Sequence, residues 1–291
     1  HFESGGIQFL QGAHPVILKP GQAIFLNDPC EHELIEEAYR RFRIDPPAVA
    51  RAFSWVDDDY LLIHDDLTGS LPELSHWHLQ VVGGSPRVLG DHDYRFPGRF
   101  GVDLRLVLPD QDFDSSTSEN LPILHYSGSP DSWFSMEHLQ LTRRNARHYL
   151  AALRPVDSAQ EDAFEFRSLR KGEDIVGAEV TGSGRNDLHW FARPGLEWQG
   201  EEILFSGSYG ALLRKENQTR LLLLGSGTLH YGSTRIHSDG PQLILTLTKS
   251  GTTLEAFGHG DIAVETPGIH RQLKVEDHFT LQHDEKEPTN I

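Results

Sequence analysis

His1 and Glu3 are the first residues whose types and spacing could do chemistry. In an extended strand, residues two apart share a face, so this imidazole and carboxylate point the same way while Phe2 points opposite. Such a pair suits proton transfer, because histidine titrates near neutral pH and a carboxylate partner fixes its tautomer. It also suits metal binding, and the same two residues read as a solvated chain end. A second cluster, His76-Trp77-His78, puts two imidazoles on one strand face beside an aromatic residue. It can line a sugar cleft through stacking and hydrogen bonds, or simply turn a polar face to water. Asp91-His92-Asp93 has a metal-like composition but sits in a Gly-flanked turn, and Asp57-Asp58-Asp59 reads as a turn in which Asp side chains cap their own backbone. Trp133, Trp190 and Trp198, with Tyr209 and Tyr231, can form either a stacking platform for pyranose rings or the filling between two sheets. Arg143-Arg144 with Arg147, and Arg40-Arg41 with Arg43, are too short to bind a polyanion unaided but can steer a uronate locally.

These side chains need a scaffold, and the composition limits its kind. The chain has 291 residues, 37% of them hydrophobic, which is enough for a sizeable core. Twenty-six basic against 43 acidic residues give a net charge of −17, so nucleic acid is not an expected partner. A single cysteine, Cys30, excludes an internal disulfide framework and a multi-cysteine zinc cage. No window approaches the roughly 18 to 20 apolar residues of a membrane-spanning helix, so no membrane partner is expected either.

Short runs rich in Val, Ile, Leu and aromatic residues recur between Gly, Pro, Asn, Asp and Ser, which is the pattern of antiparallel strands. Over 102–108 the even positions are apolar, predicting one dry and one wet face. A single short surface helix is predicted over 31–42, where Leu34, Ile35, Tyr39 and Phe42 fall near one stripe, acids come early and arginines late. The stretches 110–120 and 283–291 read as prone to disorder. The expected architecture is therefore all-β: a large two-layer antiparallel β-sandwich spanning 1–291, with one surface helix and a conceivable boundary near 155–162.

The ordered set His1-x-Glu3-x-Gly5-Gly6-Ile7, Lys19-Pro20-Gly21, Val49-Ala50-Arg51-Ala52-Phe53-Ser54-Trp55 and Asp59-Tyr60-Leu61-Leu62-Ile63-His64-Asp65 resembles the C-terminal β-sandwich of heparinase II/III-like polysaccharide lyases. The resemblance covers residues 1–82, with only a β-rich likeness beyond. It implies a periplasmic or secreted protein, of which this chain is a piece, whose N-terminal α/α toroid supplies most of the active site. It also implies an acidic polysaccharide substrate, a glycosaminoglycan or alginate, cleaved by β-elimination. The alternative is a non-catalytic carbohydrate-binding or domain-assembly sandwich.

Carried over position by position, the resemblance puts His1 at the family's zinc-binding histidine, Glu3 at the acid two residues on, and Lys19 at a second ligand position. His1 and Glu3 are then the candidate catalytic pair, and Lys19, His76 and His78 the candidate substrate contacts. Lysine breaks the ligand pattern, since an ammonium donates but cannot accept. No zinc or other cofactor is therefore expected, and Lys19 pairs instead with Glu3 across neighbouring strands, replacing the metal charge.

Overall fold

A computed structural model describes residues 2–4, 7–15, 48–68, 74–82, 84–98, 101–109, 115–124, 133–172, 174–193, 195–200, 202–248 and 251–284. The expected helix over 31–42 lies outside them, and every regular element among the described residues is a β-strand. The chain divides into two compact units, His1–Asp162 and Ala163–Ile291. The division falls at the end of the 155–162 segment. The all-β, antiparallel reading holds: the strands form four antiparallel sheets in sandwich-like layers.

In the first unit β1 (Phe2–Ser4), β2 (Ile7–Pro15), β3 (Ala48–Val56), β4 (Tyr60–Thr68), β11 (His148–Asp157), β8 (Val102–Val107), β7 (Asp93–Phe96) and β6 (Arg87–Gly90) make an eight-stranded sheet in that order. A three-stranded sheet runs β5 (Leu74–Val82), β10 (Trp133–Arg144), β9 (Ser115–Leu124). One apolar cluster joins the two: Ile63, Phe96, Leu106 and Ala151 from the large sheet meet Trp77, Leu139 and Leu141 from the small one. The hairpin between β3 and β4 uses Asp57 and Asp58 with positive φ, as the Asp trio predicts, because Asp tolerates the left-handed region by hydrogen bonding locally.

The polar face of the large sheet is a charge network. Arg95, Arg105 and Arg154 stand in one cross-strand row on β7, β8 and β11. Arg95 pairs with Asp103 at 2.7 Å, Arg105 with Asp93 at 2.7 Å and with Asp162 at 2.9 Å, and Arg154 with Asp162 at 2.9 Å. Three adjacent guanidinium groups would repel; the interleaved carboxylates turn that repulsion into bonding. The wet face of 102–108 is therefore satisfied internally, and of the Asp91-His92-Asp93 trio Asp93 serves Arg105.

In the second unit an eight-stranded sheet runs β12 (Glu165–Lys171), β13 (Ile175–Gly182), β14 (Arg185–Ala192), β17 (Tyr209–Lys215), β18 (Gln218–Leu224), β21 (Gln242–Thr248), β22 (Gly251–Phe257), β25 (His278–Asp284). A six-stranded sheet runs β15 (Glu197–Gln199), β16 (Ile203–Ser206), β19 (Gly227–Tyr231), β20 (Thr234–Ser238), β23 (Gly260–Thr266), β24 (Ile269–Val275). Between them lie Trp190, Leu212, Leu221, Leu245 and Leu254 from one sheet and Phe205, Leu229, Ile236, Ile262 and Val264 from the other. Trp190 is almost fully buried in this core and Trp198 and Tyr231 pack against it, so these three aromatics fill the sandwich rather than form an exposed platform; Tyr209, also buried, lies on the other face of the large sheet beside His189 and Phe191. Gly210 matters here: a Cβ at this position would lie 2.6 Å from the Phe205 ring, which stacks on Trp190 with centroids 5.8 Å apart. Gly210→Ala is expected to push that ring out of place and cost about 1 to 3 kcal/mol, read as a fall in the urea midpoint.

Two expectations are corrected. The polar stretch 110–120 enters β9 at Ser115 and pairs with β10 from Ser115 opposite Thr142 to Leu124 opposite Trp133. The twelve-residue β10 offers a full ladder of backbone partners, and these outweigh an unpromising composition. Near the chain's end β24 pairs with β23 in the small sheet, β25 with β22 in the large one, and the chain crosses between layers at Glu276-Asp277. His283 and Asp284, expected in a disordered tail, close the pairing with Thr252 and Gly251.

Candidate functional site

Strand β5 alternates cleanly: Ser75 and Trp77 are buried, and His76, His78 and Gln80 are exposed. Trp77 belongs to the core between the sheets, so period-two geometry forces both imidazoles onto the opposite face. Strand β10 repeats the pattern, with Glu137, Leu139 and Leu141 buried and His138, Gln140 and Thr142 only half-buried. The register then sets His76 opposite Thr142, His78 opposite Gln140 and Gln80 opposite His138. One polar patch results, built from two strands 60 residues apart in sequence.

Its hydrogen bonds form two neighbouring groups, and the His76 and His78 rings, with centroids 6.1 Å apart, stand between them. His78 Nδ1 lies 2.9 Å from His138 Nε2, with the rings stacked at a centroid distance of 5.0 Å. His76 Nδ1 lies 2.9 Å from Thr142 Oγ1 and 3.3 Å from the Gln140 amide nitrogen, which donates to it. An amide nitrogen only donates, so in the contact with Gln140 the His76 Nδ1 is the acceptor. In the His78–His138 pair one ring donates and the other accepts, which leaves one N–H and one lone pair for other partners, and a tautomer shift exchanges the two. Burial first, then the neighbouring His138 and His76, push the His78 imidazole below the ordinary histidine range. At neutral pH His78 is thus a neutral group that can both donate and accept. Arg144, exposed, continues along β10 past Thr142, whereas Arg143 points its guanidinium to the His148 carbonyl at 3.0 Å. The register also sets Glu119 of β9 opposite His138 and Thr117 opposite Gln140.

Of the residues expected to carry function, the structure brings His76 and His78 together and adds His138, Gln140 and Thr142. His1 and Lys19 lie outside the described residues, and with them the proposed Lys19–Glu3 pairing. The Glu3 backbone is in β1 opposite Gln8, at the edge of the large sheet, whereas His76 and His78 belong to the three-stranded sheet. Asp65, which closes the family-like Tyr60-to-Asp65 run, is buried and held by Arg51 through two contacts of 2.6 Å. That carboxylate orders β3 against β4. Among the described residues no group of three or more His, Cys, Asp and Glu side chains is placed to hold a metal ion.

His138 escaped the sequence reading because nothing local marks it: it is one of seventeen histidines, and only the β5–β10 register pairs it with His78. The alternation His138-x-Gln140-x-Thr142 was a legible signal that β10 has a polar face, but it carries no information about which strand lies beside it. Compared with known proteins, the chain matches no protein-family profile, and no curated protein matches it in sequence.

Proposed function

We propose that this chain is the β-sandwich part of a lyase that cleaves a uronic-acid-containing polysaccharide by β-elimination, with the histidine row of the three-stranded sheet binding the sugar chain. The observation that carries this reading is the cluster of His76, His78, His138 and Gln140, hydrogen-bonded in two neighbouring groups on a solvent-facing sheet surface. Sugar hydroxyls both donate and accept, and this cluster offers both at closely spaced positions. Arg144 supplies a cation at the end of the same strand for a uronate carboxylate.

In the elimination a base removes the proton at C5, its electron pair forms the C4–C5 double bond, and the C4–O bond breaks. The leaving oxygen takes a proton, and the neighbouring carboxylate must be neutralised for the enolate-like charge to form. His1 and Glu3 enter as the proton-transfer pair, and the α/α toroid as the supplier of the remaining groups, on the resemblance of residues 1–82 alone. Non-catalytic glycan binding is the second reading; it is favoured by the role these imidazoles already play, which is mutual hydrogen bonding, and it shares the same surface.

The test is to titrate the chain with polyuronates by calorimetry and to follow the ultraviolet absorbance of the unsaturated product, alone and joined to its toroid. Binding is expected to weaken about tenfold in His78→Ala and in His138→Ala, the loss of roughly one good hydrogen-bonding group. Absorbance that rises with the toroid present supports the lyase; binding without turnover supports the module. Polyuronate binding that is absent or indifferent to both substitutions removes the surface from either role.

A further inference from the structure

The six-stranded sheet of the second unit turns one face away from its core, and that face is hollow over its last three strands, β20, β23 and the edge strand β24. Two adjoining depressions, of about 450 and about 200 Å³, share His237, Ala263 and Gln272. The register explains them: β20, β23 and β24 set these three residues side by side in one cross-strand row, so a methyl group stands between two longer side chains. The flanking rows carry opposite charges, with Arg235 opposite Glu265 and Asp261 opposite Lys274.

Opposite charges at facing positions attract and usually close into ion pairs. Here they stand apart around the depression. Among the described residues the side chains of Arg235, Asp261, Gln272 and Lys274 take no hydrogen bond or ion pair. Glu265 reaches only His270, at 3.7 Å, and His237 only Thr228, at 3.0 Å. One small hollow thus presents two cations, two carboxylates, an amide and an imidazole, most of them with hydrogen-bonding capacity left over.

That mixture selects a ligand class. A metal ion needs acceptors only, and Arg235 and Lys274 would repel it. A phosphate-rich ligand needs donors only, and Asp261, Glu265 and the net charge of −17 oppose it. A polyhydroxylated ligand needs donors and acceptors interleaved at short spacing, and neighbouring strands about 4.8 Å apart provide that. We infer that this hollow is a glycan-binding site, in which one sugar ring sits over the Ala263 methyl. Its hydroxyl groups bond to Asp261, Glu265 and Gln272, and Arg235 and Lys274 close the ends. The inference stands apart from the lyase reading, since it concerns the other unit and no residue of the histidine row.

Native electrophoresis of the full chain through gels containing a soluble neutral hexose polymer or a polyuronate tests it. Retardation by at least one polymer is expected, weakened about tenfold in Ala263→Trp, which fills the hollow, and in Gln272→Ala, which removes the central amide. Both positions are on the solvent face, and an unchanged thermal midpoint checks that each variant folds. The joint variant Arg235→Ala with Lys274→Ala separates the sources: it weakens the polyuronate arm alone if the ring carries a carboxylate, and both arms equally if only hydroxyls are read. No retardation by either polymer overturns the site, as does retardation that both Ala263→Trp and Gln272→Ala leave intact. His78→Ala keeps the two proposals distinguishable, because it spares binding to the neutral polymer here and lowers only the polyuronate binding assigned to the histidine row.

Discussion

Acidification from pH 7 to pH 4 is expected to remove about 3 kcal/mol of stability through His189 alone. This side chain is wholly buried on β14, with Nδ1 at 2.9 Å from the Tyr209 hydroxyl. Burial first, and then the nearby Arg185 charge, push its imidazole down to about 3. An unfolded chain binds that proton near the ordinary histidine value of about 6.5. Between about 6.5 and about 3 the unfolded state therefore holds a proton that the folded state refuses. Stability rises with pH through this window and is lost as pH falls through it. Above about 6.5 both states are neutral and the contribution is level. The check is a pair of urea titrations at pH 7 and pH 4 on the wild type and on His189→Gln, which keeps a polar partner for Tyr209 but cannot titrate. The difference in unfolding free energy between the two proteins should change by about 3 kcal/mol between the two pH values. Parallel pH dependences would show that His189 is not held neutral by its surroundings.

Asp187→Ala is expected to cost about 3 to 5 kcal/mol, the usual effect of removing one partner of a buried ion pair. Asp187 Oδ2 accepts from Arg185 Nη1 at 2.6 Å, and both side chains have zero exposure. Its Oδ1 accepts from the Arg214 backbone N–H at 2.8 Å. That second bond fills a gap, for the β14–β17 register runs from Arg185 opposite Lys215 to Leu188 opposite Leu212 without backbone pairing between. Arg214 completes the insertion by donating from Nε to the Asn186 carbonyl at 3.2 Å and from Nη2 to the Asn186 side-chain oxygen at 2.8 Å. Alanine at 187 leaves a guanidinium in the dark and a ladder N–H unmet. The joint variant Arg185→Met with Asp187→Leu removes both charges at similar volume and should recover most of the loss, because the two ions chiefly compensate each other. It also removes the charge that helps depress His189, so its acid sensitivity should be milder than that of the wild type. A joint variant no more stable than Asp187→Ala would assign the cost to the Arg214 N–H instead of to the charge pair.

How much of this was visible beforehand depends on whether a feature is local. Strand positions such as Gly251–Phe257 announce themselves by alternation, and the burial follows that alternation residue by residue. The Asp57-Asp58-Asp59 turn was legible because its chemistry is contained in three residues. The Ser115–Asn120 part of β9 was not, since its polar composition gives no strand signal and the ladder that orders it is supplied by β10. The histidine row was half legible: His76 and His78 share a face by period alone, but His138 joins them through a register that a one-residue slip would destroy. Arg185, Asp187 and His189 likewise share a face by period alone, but nothing local says that this face is buried, and the Ala263 hollow carries no local mark because each of its residues is ordinary until its neighbours are known.

By itself, then, the amino-acid order determined the all-β class, the antiparallel habit and the polar face of β5. These follow from period-two patterning and turn chemistry, which act over a few residues. Tertiary structure alone decided which strands became neighbours, and therefore which imidazole meets which, where a methyl opens a depression, and which carboxylate answers which arginine. The reason is that pairing energies are summed along whole ladders, so a single residue's partner is chosen by the other residues of its strand.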